Sequence, residues 1–357
     1  MKKRISSLFM AIVMAAVLLA GCGQDASKET KEAGTEEAVA EEAAAKEAPT
    51  EEAGAENEET ENAGGSKTIA IVPWDMAETF AVDFSHAAEE AIEEKGWTCV
   101  VMDPKGDWAQ EYTIIENLIT QKVDGIIYTA IDADGANDLV AEVQAAGIPI
   151  VGYDCLASAG VEDAAVRYDD TKGGQMAAEE MMKALEGKED AQIVIFEDDP
   201  SISSSTRRIE GFTGYMEENY PNVEIILNRS QDKTADGCYI WATDMITAYP
   251  DADGFFCYWS ECTMATYNAL QDAEKTDVYV VGYDATTEQQ ELMQSVGADC
   301  RLYASPGMSP SKMATQCVDS LENIFNGSYK RSGPEDMVEL SPVLLTAENA
   351  AEFDINQ

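Results

Sequence analysis

The chain has 357 residues, 45% of them apolar, enough for one large or two medium cores. Its 68 Asp and Glu against 23 Lys and Arg leave a formal charge of -45, which repels nucleic-acid phosphates and anionic headgroups, so no nucleic-acid partner is expected. A single histidine rules out multi-histidine metal sites, and its place in the helix-like DFSHAAEEAI (His86) argues against a His-based triad.

Lys2, Lys3 and Arg4 precede an apolar run from Ile5 to Ala20, the layout of an export signal, too short and one-sided for a membrane span. Residues 1–21 are therefore expected to be a signal peptide. Leu19-Ala20-Gly21-Cys22 resembles a bacterial lipobox, and the resemblance implies that the Cys22 thiol carries a diacylglyceryl group. Each buried methylene of such a group contributes about 0.8 kcal/mol to membrane retention. The expected location is extracytoplasmic, anchored to the cell membrane through Cys22. Gln24 to Ser66 holds fourteen acidic residues, three lysines and no aromatic, so residues 22–66 predict a disordered tether that cannot bury enough apolar area to offset its ordering entropy.

From Lys67 onward short β-rich runs alternate with helical periodicity. TIAIV (Thr68 to Val72) precedes a helix near Phe80 to Lys95, TCVVM one near Trp108 to Gln121, and GIIYT one near Gly135 to Ala146, with IPIVGYD closing the series. QIVIF, VEIIL, GFFCY and VYVVGYD form a second series. The pattern predicts an α/β fold of two doubly wound, parallel-sheet lobes. The series echo one another: Gly125 opens GIIYT and Asp154 ends IPIVGYD, while Gly254 opens GFFCY and Asp284 ends VYVVGYD over a nearly equal span. Ligands of open parallel sheets bind beyond the carboxyl ends of the strands. Asp154 and Asp284 would then point into a cleft from opposite walls, although the residues alone leave open that both cap the helices that follow.

Within FFCYWSECTMATYNAL, Phe255 to Cys257 read as core strand, while Tyr258 and Trp259 stand where the strand runs out. The seven cysteines after Cys22 contain no C-x-x-C, which argues against a zinc cluster or redox dithiol, and their odd number and scatter assign no disulfide. The acidic turns Asp132 to Gly135 and Asp251 to Gly254 lack the remaining ligands of a calcium loop. No phosphate loop or nucleophile elbow appears, so neither metal nor cofactor is expected.

From about Thr68 onward the chain resembles the type 1 periplasmic binding proteins, specifically the ribose/galactose class that serves ABC importers. The likeness rests on NLITQKVDGIIYTAID, AAGIPIVGYD, RRIEGFTGYM, AYPDADGFF, YNALQDA and VYVVGYDA, in that order. It implies two lobes joined by a three-crossing hinge, with crossings near Arg167 to Asp170, near Met308 and near Met337 to Pro342. One lobe would hold residues 67–168 plus about 309–338, the other 169–308 plus about 339–357. It also implies ligand-binding roles: Asp154 and Asp284 as hydrogen-bond acceptors from sugar hydroxyls, Arg208 as a donor, Phe80 as a ring on the sugar face. An ion-pair role for Arg208 and a hydrophobic-plug role for Phe80 remain compatible with the residues themselves.

Departures from the family pattern bear on specificity. Trp259-Ser260 stands where the family has Asn-Asp, Met308 where a glutamine is common, Cys155 where a polar residue is usual, and Lys233 near the place of another aromatic. Trp259 is thus expected in the pocket wall, and a less hydroxylated sugar, a glycoside or a non-sugar ring compound is expected to suit the pocket better than a simple pentose. The expected function is the substrate-binding component of an ABC importer, a monomer that captures a sugar or sugar-like molecule and presents it to a membrane permease. A sensor feeding a chemotaxis or two-component receptor is the alternative; an enzyme is not expected.

Overall fold

Runs such as GIIY (Gly125–Tyr128) and IVGY (Ile150–Tyr153) are buried at every residue, as parallel strands covered on both faces must be. The computed structural model describes residues 66–356 apart from 198 and 231. The expected signal peptide, Cys22 and the tether up to residue 65 lie outside the described residues.

The first part of the body runs β1 (Thr68–Val72), α1 (Thr79–Glu94), β2 (Thr98–Val101), α2 (Trp108–Gln121), β3 (Gly125–Tyr128), α3 (Ala136–Ala145), β4 (Ile150–Tyr153) and β5 (Ala164–Tyr168). There follow α4 (Asp170–Ala184), β6 (Gln192–Glu197), α5 (Ser203–Asn219), β7 (Glu224–Arg229), α6 (Ala235–Ala248), β8 (Gly254–Phe256), α7 (Ser260–Asp272), β9 (Tyr279–Val281), α8 (Thr287–Val296) and β10 (Leu302–Gly307). The chain ends with α9 (Pro310–Phe325), β11 (Val338–Leu340) and β12 (Val343–Thr346).

Two six-stranded sheets result, ordered β11-β5-β4-β3-β1-β2 and β12-β10-β9-β8-β6-β7. Both follow one winding rule, so the echo read in the sequence is a repeated topology. The expected parallel-sheet lobes are present, with one departure: β12 runs antiparallel to β10. The chain passes between sheets after Tyr168, after Gly307 and after Leu340. Helix α9 returns across the second of these passages to pack on α1 and β5.

Four strands carry no clear signal in the sequence. β10 reads LYASPG, whose Ser-Pro-Gly end suggests a turn; it is a strand because β9 and β12 flank it on both sides. β5 is short and mixed, and the edge strands β11 and β12 are too brief for period-two alternation to show.

Ring stacking organises each half: Phe84 lies 3.7 Å from Tyr153 in the first, and Phe212 lies 4.5 Å from Phe256 in the second. His86 is on an exposed face of α1.

Helices α4 and α5 meet backbone to backbone. A Cβ at Gly174 would collide with the carbonyl oxygen of Arg208, and one at Gly211 with that of Thr171. Only glycine permits this approach, which brings the first residue of α4, Asp170, against Arg208 of α5. Gly174→Ala should therefore lower unfolding free energy by about 1–3 kcal/mol in urea titrations, because overpacking must push the helices apart. Unchanged stability would contradict the close contact.

Candidate functional site

In each sheet the strand order reverses beside the first strand of its half, between β1 and β3 and between β6 and β8. Loops leaving the carboxyl ends there diverge and open a crevice. A cavity of about 90 Å³ occupies it, room for roughly six to nine water-sized positions and hence for one small ring compound. Trp74, Glu78 and Phe80 reach it from beyond β1, Thr129 from beyond β3, and Asp154 and Cys155 from beyond β4. From the other lobe come Ile202, Ser204, Ser205 and Arg208 at α5, Lys233 before α6, and Tyr258 and Trp259 beyond β8.

The repeat is preserved down to backbone conformation. Asp154 and Asp284, at matching strand ends, both take left-handed φ values, 55° and 77°. Aspartate tolerates this region better than bulky residues, and such backbone concentrates at functional positions.

Arg208 is the centre of the site. With 5% of its surface exposed, its Nε donates to Asp170 at 2.9 Å, Nη1 to the Tyr258 carbonyl at 3.0 Å, and Nη2 to Asp154 at 3.4 Å and the Met308 sulfur at 3.2 Å. Asp284 lies 3.9 Å from Nη1, and the Tyr283 ring lies 4.3 Å from the guanidinium carbon. Arg207 binds the other oxygen of Asp170 at 2.6 Å. Burial works against the Arg208 charge, but Asp170, Tyr283, Asp154 and Asp284 together outweigh it and hold the guanidinium protonated.

The predicted residues divide between two spaces. Phe80, Asp154, Arg208 and Trp259 line the first cavity; Asp284 lines a neighbouring one of about 70 Å³ with Thr286, Gln290, Met308 and Phe353. Phe80 borders both, and the contact of Arg208 with Met308 closes the wall between them. Asp284 accepts the Ser260 N–H at 2.8 Å, so it holds the start of α7 beside Trp259. Trp259 packs edge-on against Phe196 at 4.8 Å and against Tyr258 at 4.5 Å, which fixes its ring. Phe80 is partly buried and 6.5 Å from Phe84, so it is both plug and wall.

Contacts between the lobes accompany the cavity. The Thr79 N–H and hydroxyl donate to Glu261 of α7 at 2.9 and 3.1 Å, and the Cys155 sulfur meets the Ser204 hydroxyl at 3.1 Å.

Three participants were not anticipated. Asp170 is fully buried and pairs with both arginines. A faint sign exists in the doubled Asp169-Asp170: Asp169 caps α4 by accepting the Lys172 N–H, leaving the second carboxylate spare. Glu78 and Trp74 reach the cavity from the β1–α1 connection, where no periodicity speaks for them.

The acidic groups here resist ionisation. Burial, then Glu261 and Asp284, pushes Glu78 up to about 8. Burial pushes Asp284 up to about 7 against the pull of Arg208, and raises Asp154 in the same way. Elsewhere in the first lobe, Glu111 is fully buried; one oxygen accepts the Ile131 N–H at 3.1 Å, the other has no partner, and burial pushes it up to about 8.

Comparison with known proteins places this geometry. A model of the periplasmic binding protein domain matches residues 69–328. The ribose import binding protein RbsB of Escherichia coli (strain K12) is 24% identical over 266 residues, covering 74% of this chain and 87% of its own length. The D-apiose import binding protein of Actinobacillus succinogenes is 22% identical, covering 80% and 90%. Among solved structures, a carbohydrate transporter solute-binding protein from Agrobacterium radiobacter in complex with D-arabinose is similar at TM-score 0.74 and 22% identity, covering 82% of this chain and 98% of its own. The Caulobacter myo-inositol binding protein bound to myo-inositol is similar at TM-score 0.73 and 19% identity, covering 82% and 98%.

Asp170→Asn leaves the buried Arg208 and the half-buried Arg207 short of a counter-charge and should lower stability by about 3–5 kcal/mol in chemical denaturation; a loss within experimental error would refute the role given to Asp170. Glu78, Glu111 and Asp284 keep their protons in the fold at pH values where the unfolded chain has lost them, so the native state binds more protons between about pH 5 and pH 8. Stability without ligand should therefore fall as pH rises through that window. Thermal melts across the range should show a shallower decline for Glu111→Gln, which removes one of the three protons.

Proposed function

The chain belongs to the periplasmic binding protein domain family, and on that premise we propose that it is the extracytoplasmic solute-binding component of an ABC importer, capturing a sugar or sugar-like small molecule between two lobes. One observation carries the reading: Asp154 and Arg208, from opposite lobes, meet at 3.4 Å in the wall of a cavity whose lining also includes Trp74, Phe80, Tyr258 and Trp259. Sugar hydroxyls donate and accept in pairs, which suits a carboxylate beside a guanidinium. Aromatic rings cover the apolar C–H faces of a sugar and exclude water.

A ligand touching both walls binds the closed arrangement better than an open one and shifts the hinge equilibrium toward closure. The permease would then recognise the closed surface. Relatives named for ribose and D-apiose import, and structures with D-arabinose and myo-inositol, support this ligand class. In this reading Phe80, Asp154, Arg208 and Trp259 contact ligand, while Asp284 holds the loop that carries Trp259. The lobes are taken as residues 67–168 plus about 309–338, and 169–308 plus about 339–357, except that β11 (Val338–Leu340) stands in the first sheet and moves the last boundary to after Leu340. Cys22 carries the lipid anchor, residues 22–66 form the tether, and the protein works as a monomer by binding rather than by turnover.

The whole chain should show a raised melting temperature and altered tryptophan fluorescence with at least one member of a panel of pentoses, hexoses and polyols. Asp154→Asn should weaken that ligand about tenfold to a hundredfold, the worth of one hydrogen bond to a charged group. A panel without any response, or an unaffected Asp154→Asn, would refute the assignment.

A further inference from the structure

The polar groups of the main cavity are unevenly matched. Arg208 has every nitrogen engaged by protein acceptors, so it has little left to donate to a ligand. Asp154 receives only the 3.4 Å contact from Arg208 and a 3.7 Å contact from the Cys155 thiol. Glu78, at the start of α1, makes no side-chain cap for that helix, and its carboxyl lines the cavity. Glu261 and Asp284 add negative potential at Glu78, with Lys233 the weaker opposing influence. Among the described residues, two carboxyls, those of Glu78 and Asp154, line this cavity beside Arg208 and Lys233; Asp170 is taken by the two arginines, and Glu261 and Asp284 border neighbouring spaces. The unmet groups of the cavity are therefore the acceptors of Glu78 and Asp154, bounded by aromatic rings whose faces attract cations.

We propose that the ligand of this cleft carries a protonated nitrogen, as an amino sugar or a comparable amine-bearing ring compound does, and that Glu78 and Asp154 receive it between the rings of Trp74, Phe80, Tyr258 and Trp259. This rests on the reading of the cleft as a sugar-capture site and narrows its substrate class. An ammonium supplies donors without adding acceptors and relieves the mutual repulsion of the carboxylates, where a neutral hydroxyl supplies one donor and no charge. Burial first, then Glu261 and Asp284, make Glu78 hold its proton, and a cationic ligand beside it would favour the ionised form.

Matched triads test it: 2-amino-2-deoxyhexoses, their neutral parent hexoses and their N-acetyl derivatives, titrated calorimetrically against the whole chain. At least one amine should bind about tenfold or more tightly than its neutral parent and N-acetyl form, as a charge-assisted contact requires. Glu78→Gln, close in shape and outside any cap hydrogen bond, should reduce that amine-to-parent ratio about tenfold without lowering the melting temperature of the free protein. Neutral sugars binding as tightly as their amines, or a ratio unmoved by Glu78→Gln, overturns the proposal while leaving sugar capture standing. No response to any member of the triads overturns the proposal; sugar capture falls with it only if the pentoses and polyols of the wider panel give no response either.

Discussion

Arg208 holds a full positive charge with 5% of its surface exposed, and a guanidinium in that position is tolerable only when acceptors surround it. The protein meets this requirement from four directions: Asp170 at the first interlobe passage, Asp154 beyond β4, the Tyr258 carbonyl beyond β8, and the Tyr283 ring at the end of β9. Those groups come from both lobes and from the hinge between them. Each must therefore be in place for the others to be stable, which makes the site sensitive to how the lobes are disposed.

This constraint explains the crowded backbone nearby. Asp170 and Arg208 can pair only if α4 and α5 approach to glycine distance, and Gly174 and Gly211 allow it. It also explains a division of labour among charged residues. Arg208 is spent largely on structure, so the recognition we propose falls to less satisfied carboxylates and to rings fixed by their own packing, such as Trp259 between Phe196 and Tyr258. The guanidinium shapes the wall while Asp154 and Glu78 provide its unmet acceptors.

Much of this was legible before any coordinates. The eight apolar runs became strands because buried parallel strands need continuous apolar sequence, and helices such as Trp108–Gln121 emerged with the predicted limits. Phe80, Asp154, Arg208 and Trp259 were found through the strand-end rule and the family phrases, and they share one cavity. Asp284 was expected across from Asp154; its carboxylate instead receives the Ser260 N–H and borders the neighbouring space. The sequence puts Asp170 at the first crossing and assigns it no role, since a sequence cannot say which of two adjacent aspartates caps a helix and which is turned inward. β10 was hidden because Ser-Pro-Gly ends a strand by local preference, while pairing on both sides overrides it.

By itself the sequence determined the strong negative charge, the alternation of strands and helices, and the repeat that places Asp154 and Asp284 at equivalent ends. These are local or periodic properties, written in residue type and spacing. The tertiary structure decided which carboxylates Arg208 consumes, which remain for a ligand, and that Phe80 and Met308 border a second space holding Asp284. Such outcomes depend on distances between residues far apart in the chain, and only the packing of two lobes across one hinge sets those distances.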